Sequence, residues 1–212
     1  MANDWATEHL QVIRTLMERA AIYRRALAPV MLLTGSIGLL AAILGWSFKI
    51  DSPRSFVGYW TSISLLPLVG SYLMVRRQSL KDAEPFWSLP TRRVTQALLP
   101  PLAVGFIASV ISFFHVGTAE ANIANVIGKL WLPIGWVILY GCALHAAGFF
   151  MRRGIKLFGW IFIAGGCGLF ALGIPDVPRP LYAHGVMGFF FGVLHLAYGT
   201  YLYFTEKAKN EA

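Results

Sequence analysis

The residues with the most chemistry to offer are four histidines set in apolar surroundings: His115, His145, His184 and His195. Two histidines at equal depth on different membrane helices are how a bundle holds a b-type haem by axial ligation. His115 closes one apolar run and His184 opens another on the same side, so their depths match. His145 and His195 are the second pair, and they need helix tilt to meet. His184 and His195 lie eleven residues apart, about three turns at 3.6 residues per turn, which predicts a shared helix face. Against haem b stands a reading with no cofactor and no metal. There each imidazole bonds a hydroxyl or a backbone carbonyl across a helix seam.

Other chemistries lack their residues. All ten acids (Asp4, Glu8, Glu18, Asp51, Asp82, Glu84, Glu120, Asp176, Glu206 and Glu211) fall in loops or tails. Ion-coupled transport and aspartyl proteolysis both rely on carboxylates within the membrane. No His-Glu-x-x-His stretch exists for a zinc hydrolase. A rhomboid-type protease needs a Gly-x-Ser-Gly turn in its fourth span. Here that region reads "LYGCALHAAG", with Cys142 and no serine. Cys142 and Cys167 both sit in apolar segments, where a free cysteine serves as a small hydrophobe. No catalytic residue is assigned.

The elements that must carry these histidines follow from composition. Of the 212 residues, 57% are hydrophobic and 13% charged, about half the charged fraction of a soluble domain, and mean hydropathy is +0.60. Runs near the 20 residues needed to cross a bilayer occur six times. They are Ala26–Phe48, Phe56–Val75, Ala97–His115, Val126–Phe150, Ile155–Leu172 and Leu181–Phe204. Each must satisfy its own backbone, so the predicted fold is an all-α bundle of six transmembrane helices. Of the 18 basic residues, fourteen fall on the side holding both termini, leaving Lys49, Arg54, Lys129 and Arg179 opposite. The positive-inside rule makes that side cytoplasmic. This clustering at span ends also argues against nucleic acid as the partner of a +8 chain.

Residues 1–25 place Leu10, Ile13, Leu16, Met17, Ala20 and Ala21 at helical spacing, predicting an amphipathic cytoplasmic helix. Residues 26–205 then form the transmembrane domain, with a cytoplasmic loop over 76–93, and residues 206–212 a cytoplasmic tail. Thr91 after Pro90 predicts a helix start, and Pro100–Pro101 permit a break soon after it. Gly38 with Ala42, and Gly188 with Gly192, repeat small residues at four-residue spacing, which predicts close helix packing within the chain or in a homo-oligomer. His145 is predicted to face the bundle interior and to be hydrogen-bonded.

The runs "WSLPTRRVTQALLPP", "LHAAGFFMRRGIKLFGWIF" and "HLAYGTYLYFTEK" resemble stretches of uncharacterised bacterial six-span membrane proteins. The resemblance implies a bacterial cytoplasmic membrane and brings no activity with it. The expected role is a non-enzymatic membrane protein binding a ligand or a partner. Besides the bilayer, its contact would be another membrane or cytoplasmic protein, met through the N-terminal helix and loop 76–93. A b-type haem protein and a small-molecule permease are the alternatives.

Overall fold

A computed structural model describes residues 21–81, 85–115, 131–151, 153–172 and 180–210, and the elements among them are helices with no strand. They are α1 (Ala21–Ser47), α2 (Pro53–Lys81), α3 (Leu89–His115), α4 (Leu132–Ala147), α5 (Arg153–Ala171) and α6. The last runs without interruption through Pro180–Met187, a π-helical stretch Gly188–Val193, and Leu194–Asn210.

Among the described residues, five helices are long and apolar enough to cross a membrane: Ala26–Ser47, Pro53–Lys81, Thr91–His115, Gly154–Ala171 and Tyr182–Thr205. The fourth expected span is represented by α4, an apolar helix of 16 residues. Residues 116–130 precede it and lie outside the described residues. So do residues 1–20, which carry most of the expected amphipathic helix. Many large apolar side chains stay exposed on the outer faces of α2 and α3, among them Leu66, Val69, Leu73, Val104 and Ile107, as befits surface that meets lipid.

Helix occupies most of the stretch expected as loop 76–93. α2 runs through Gly58, Pro67 and Gly70 and on to Lys81, and α3 begins at Leu89, where Ser88 Oγ meets Thr91 Oγ1 at 2.9 Å. α3 passes through Pro100 and Pro101 without a break. Each proline removes one donor, and two in succession cost the ladder only adjacent bonds, which a membrane helix tolerates. Cys142 and Cys167 are exposed and unlinked rather than buried, on the outward faces of α4 and α5.

α1 lies between α2 and α6, while α4 lies between α3 and α5. The two groups join where α6 packs on α4, where α2 meets α3, and through an aromatic core. That core holds Phe158 and Phe162 of α5, Val137 and Leu144 of α4, Phe190 of α6, and Leu27 and Met31 of α1. A second cluster, with Ala41, Phe56, Trp60, Ala183 and Met187, fills the opposite end between α1, α2 and α6. At the α1–α6 seam, a Cβ on Gly188 would stand 2.6 Å from the Ala42 Cβ, and one on Gly192 would stand 2.9 Å from the Leu39 Cα. A Cβ on Gly38 would run into the backbone of Phe191. Small residues from both helices therefore meet at this crossing.

Candidate functional site

His184 and His195 lie on one helix, are almost fully buried, and serve different neighbours. The indole N–H of Trp60 donates to His184 Nδ1 at 3.1 Å. An indole nitrogen can only donate, so His184 Nδ1 carries a lone pair and the ring is the neutral Nε2–H tautomer. Its Nε2–H donates to the Ile50 carbonyl at 3.2 Å. The rings of Phe56, Tyr59 and Trp60 enclose it, with centroids 5.0, 6.2 and 6.0 Å away. A Cβ at Gly45 would run into the imidazole.

The Ile50 carbonyl is put there by the end of α1. Ile50 N–H bonds Gly45 O at 3.0 Å and Lys49 N–H bonds Trp46 O at 3.1 Å, the paired bonds of a Schellman cap. Lys49 supplies the left-handed residue at φ 51°, a position that glycine usually fills.

His195 faces the other half of the bundle. Its Nδ1 donates to the Phe190 carbonyl at 2.9 Å, and its Nε2 lies 2.8 Å from the Tyr140 hydroxyl. A carbonyl only accepts, so Nδ1 holds the ring proton and Tyr140 donates to Nε2. Phe158, Phe162 and Phe191 pack around the ring at 5.3, 5.5 and 6.1 Å.

The shared face predicted for these two histidines does not form. His184 turns to α2 and the α1 cap, His195 to α4 and α5. The π-helical stretch lies between them, and there Leu194 N–H bonds Phe189 O, five residues back. One extra residue in a turn rotates everything after it by about 100° relative to an α-helix. The same wide turn presents the Phe190 carbonyl to His195. The apolar run "GFFFGV" carries no periodic signal of this, since every residue in it suits a buried or a lipid-facing position.

Neither histidine pair considered for haem is brought together. His115 is exposed at the end of α3, its Nδ1 bonded to the Ile111 carbonyl at 2.8 Å, while His184 is enclosed between α1 and α2. His145 packs edge-on against Phe149 and Trp160 at 5.4 and 5.3 Å, apart from the cage of His195. An iron at His184 or His195 would have to displace bonds that now occupy both ring nitrogens. Among the described residues, no three of His, Cys, Asp and Glu cluster in a way that could hold a metal.

His145 also departs from expectation in its bonding. It is half-buried at the rim of the α4–α5 seam, and its Nδ1 is buried without a hydrogen-bond partner. The neighbours are the reason. Phe149 and Trp160 offer ring faces and edges, and a Cβ at Gly159 would lie 2.6 Å from the His145 backbone nitrogen, so helix α5 packs directly against the backbone of α4 here.

A cleft of about 680 Å³ lies between α1, α2, α3 and α4, with Met187 and Phe191 of α6 behind it. Trp60, Trp136 and Tyr140 form part of its wall, yet each directs its polar hydrogen into the protein. Trp60 bonds His184, Tyr140 bonds His195, and the Trp136 N–H bonds Ser109 Oγ at 2.8 Å. Ser64 in the same wall donates to the Thr61 carbonyl at 2.7 Å. The two caged histidines thus take up two of the wall's polar groups, and the surface left is mostly apolar, with the hydroxyls of Thr34 and Ser71 among its lining. Along α2 the lining runs from Trp60 to Val75, about 22 Å at 1.5 Å per residue. Compared with protein-family models, with curated proteins and with solved structures, the chain gave no match.

Proposed function

We propose that this chain is a multi-pass protein of a bacterial cytoplasmic membrane that holds an apolar ligand in the α1–α4 cleft and catalyses no reaction on it. The observation that carries the reading is the cleft itself. Its volume falls within the range of ligand sites, its lining is mostly apolar, and the polar hydrogens of Trp60, Trp136 and Tyr140 are spent on internal hydrogen bonds. A polar solute would find few free donors or acceptors there, which favours an apolar ligand over permeation. A length of about 22 Å suits an extended hydrocarbon chain.

In this reading α4 belongs to a sixth span, and both termini are cytoplasmic. The excess of basic residues on the side of Arg76, Arg77, Arg92 and Arg93 supports that orientation. Reporter fusions at Asp51, Glu120 and Asp176 are expected to read external, and fusions at Asp82 and Arg153 internal.

Ligand retention tests the cleft. Ala103 lines it, so Ala103→Phe places a ring in the space. Native mass spectra of the purified wild type should show retained lipid-sized mass that Ala103→Phe reduces at unchanged melting temperature. Equal retention by both proteins would refute the reading. An absorption spectrum addresses the haem alternative, which requires a Soret band lost on substitution of His184 or His195.

A further inference from the structure

The lining of the cleft ends next to charge. Val75 on α2 and Val94 on α3 are both wall residues, and Arg76–Arg77 follow the first directly while Arg92–Arg93 precede the second. All four arginines are exposed. The two helices that flank this end therefore each bring a twin arginine to within a residue or two of the apolar wall. Among the described residues, no Asp or Glu lines the cleft. At the far end stand Trp60, Trp136 and Met187, with no cation among them.

We propose that the occupant is an anionic membrane phospholipid, its chain in the cleft and its phosphate at the two arginine pairs. This rests on the apolar-ligand reading above and gives that ligand a head. The apolar wall fixes the tail's chemistry, because a chain of methylenes needs no hydrogen bonds and gains by filling the space. The arginines fix the head's chemistry. A guanidinium carries a fixed charge and a planar fork of donors that fits phosphate oxygens two at a time. The asymmetry also sets direction: the head lies at the Val75–Val94 end and the chain points towards Trp60. Positive charge at a cytoplasmic helix end is the ordinary consequence of topology. What distinguishes this one is its placement at one end of a long apolar cleft, on both flanking helices.

The test compares phosphatidylglycerol with phosphatidylcholine of identical acyl chains, added to delipidated protein and read by native mass spectrometry. The wild type should retain phosphatidylglycerol roughly tenfold better, since each basic residue near an anionic head contributes a few-fold. The Arg76→Gln, Arg77→Gln, Arg92→Gln, Arg93→Gln variant should lose that preference and still bind both lipids weakly. If it does not accumulate, Arg92→Gln with Arg93→Gln alone should lower the preference by about half on a logarithmic scale. Lys207→Gln with Lys209→Gln neutralises two lysines remote in sequence from every lining residue and should change nothing. Equal retention of the two lipids by the wild type, with both displaced by Ala103→Phe, overturns the anionic head and leaves the cleft reading standing. An equal fall in the tail variant also overturns it, because the preference would then be unspecific attraction. Retention of neither lipid overturns the cleft reading itself.

Discussion

Tyr140 and His195 meet between α4 and α6 with 2.8 Å from hydroxyl to Nε2, and Tyr140 is at once a wall residue of the cleft. This one bond keeps a phenol from being polar towards the cleft and holds the helix that follows the π-turn against α4. Tyr140→Phe should therefore leave the cleft's shape intact and orphan a buried imidazole lone pair. The expected cost is about 1–2 kcal/mol, seen as a lower melting temperature in detergent. An unchanged melting temperature would mean that the bond contributes nothing net.

Lys49 occupies the left-handed position of the α1 cap at φ 51°. For a residue with a Cβ that conformation costs about 1 kcal/mol, and glycine adopts it freely. Lys49→Gly should raise the melting temperature, and Lys49→Val should lower it. Because this cap presents the Ile50 carbonyl to His184, Lys49→Val should also weaken the Trp60–His184 arrangement, which a shift in Trp fluorescence would report.

The α1–α6 crossing tolerates no side chain at Gly192, where a Cβ would stand 2.9 Å from the Leu39 backbone. Gly192→Leu is expected to destabilise by about 1–3 kcal/mol, as overpacking does. Gly185 on the same helix has open space around it, so Gly185→Ala should be neutral or stabilising. Equal melting temperatures for the two variants would contradict the crossing.

His145 has a buried Nδ1 with no partner. Replacing it removes an unsatisfied atom and orphans nothing, so His145→Phe should leave the melting temperature unchanged or raise it. A large loss of stability would mean that the imidazole has a partner after all.

How much of this was legible beforehand varies residue by residue. Apolar length located the long helices, because α2, α3 and α6 each enclose one expected run and α1 and α5 stop one residue short of theirs. The four-residue spacing of Gly38, Ala42, Gly188 and Gly192 marked backbones that come close, since a missing side chain is itself visible in a sequence. The facing of His195 was not legible. It depends on one extra residue in a turn of phenylalanines, which no hydropathy pattern records. Nor was the partner of His184, because Trp60 lies 124 residues away on another helix and the Ile50 carbonyl belongs to a backbone turn. The bonding expected of His145 failed because the cost of a polar atom in lipid says that it should find a partner, and the neighbours here are aromatic rings. The cleft was out of reach too: Pro67, Pro101 and several small residues permit one, and only the helix arrangement shows where it lies.

The central claim is that a lipid chain lies inside the cleft rather than only around the bundle. Photolabelling in membranes tests it most directly, using a phospholipid with a diazirine in its acyl chain followed by peptide mapping. Leu98, Leu102 and Leu139 line the cleft, whereas Val69, Leu73 and Ile107 face outward. The account predicts strong labelling of Leu98, Leu102 and Leu139 in the wild type, falling selectively in Ala103→Phe while the outward residues label as before. Labelling confined to Val69, Leu73 and Ile107, unaffected by Ala103→Phe, would contradict it.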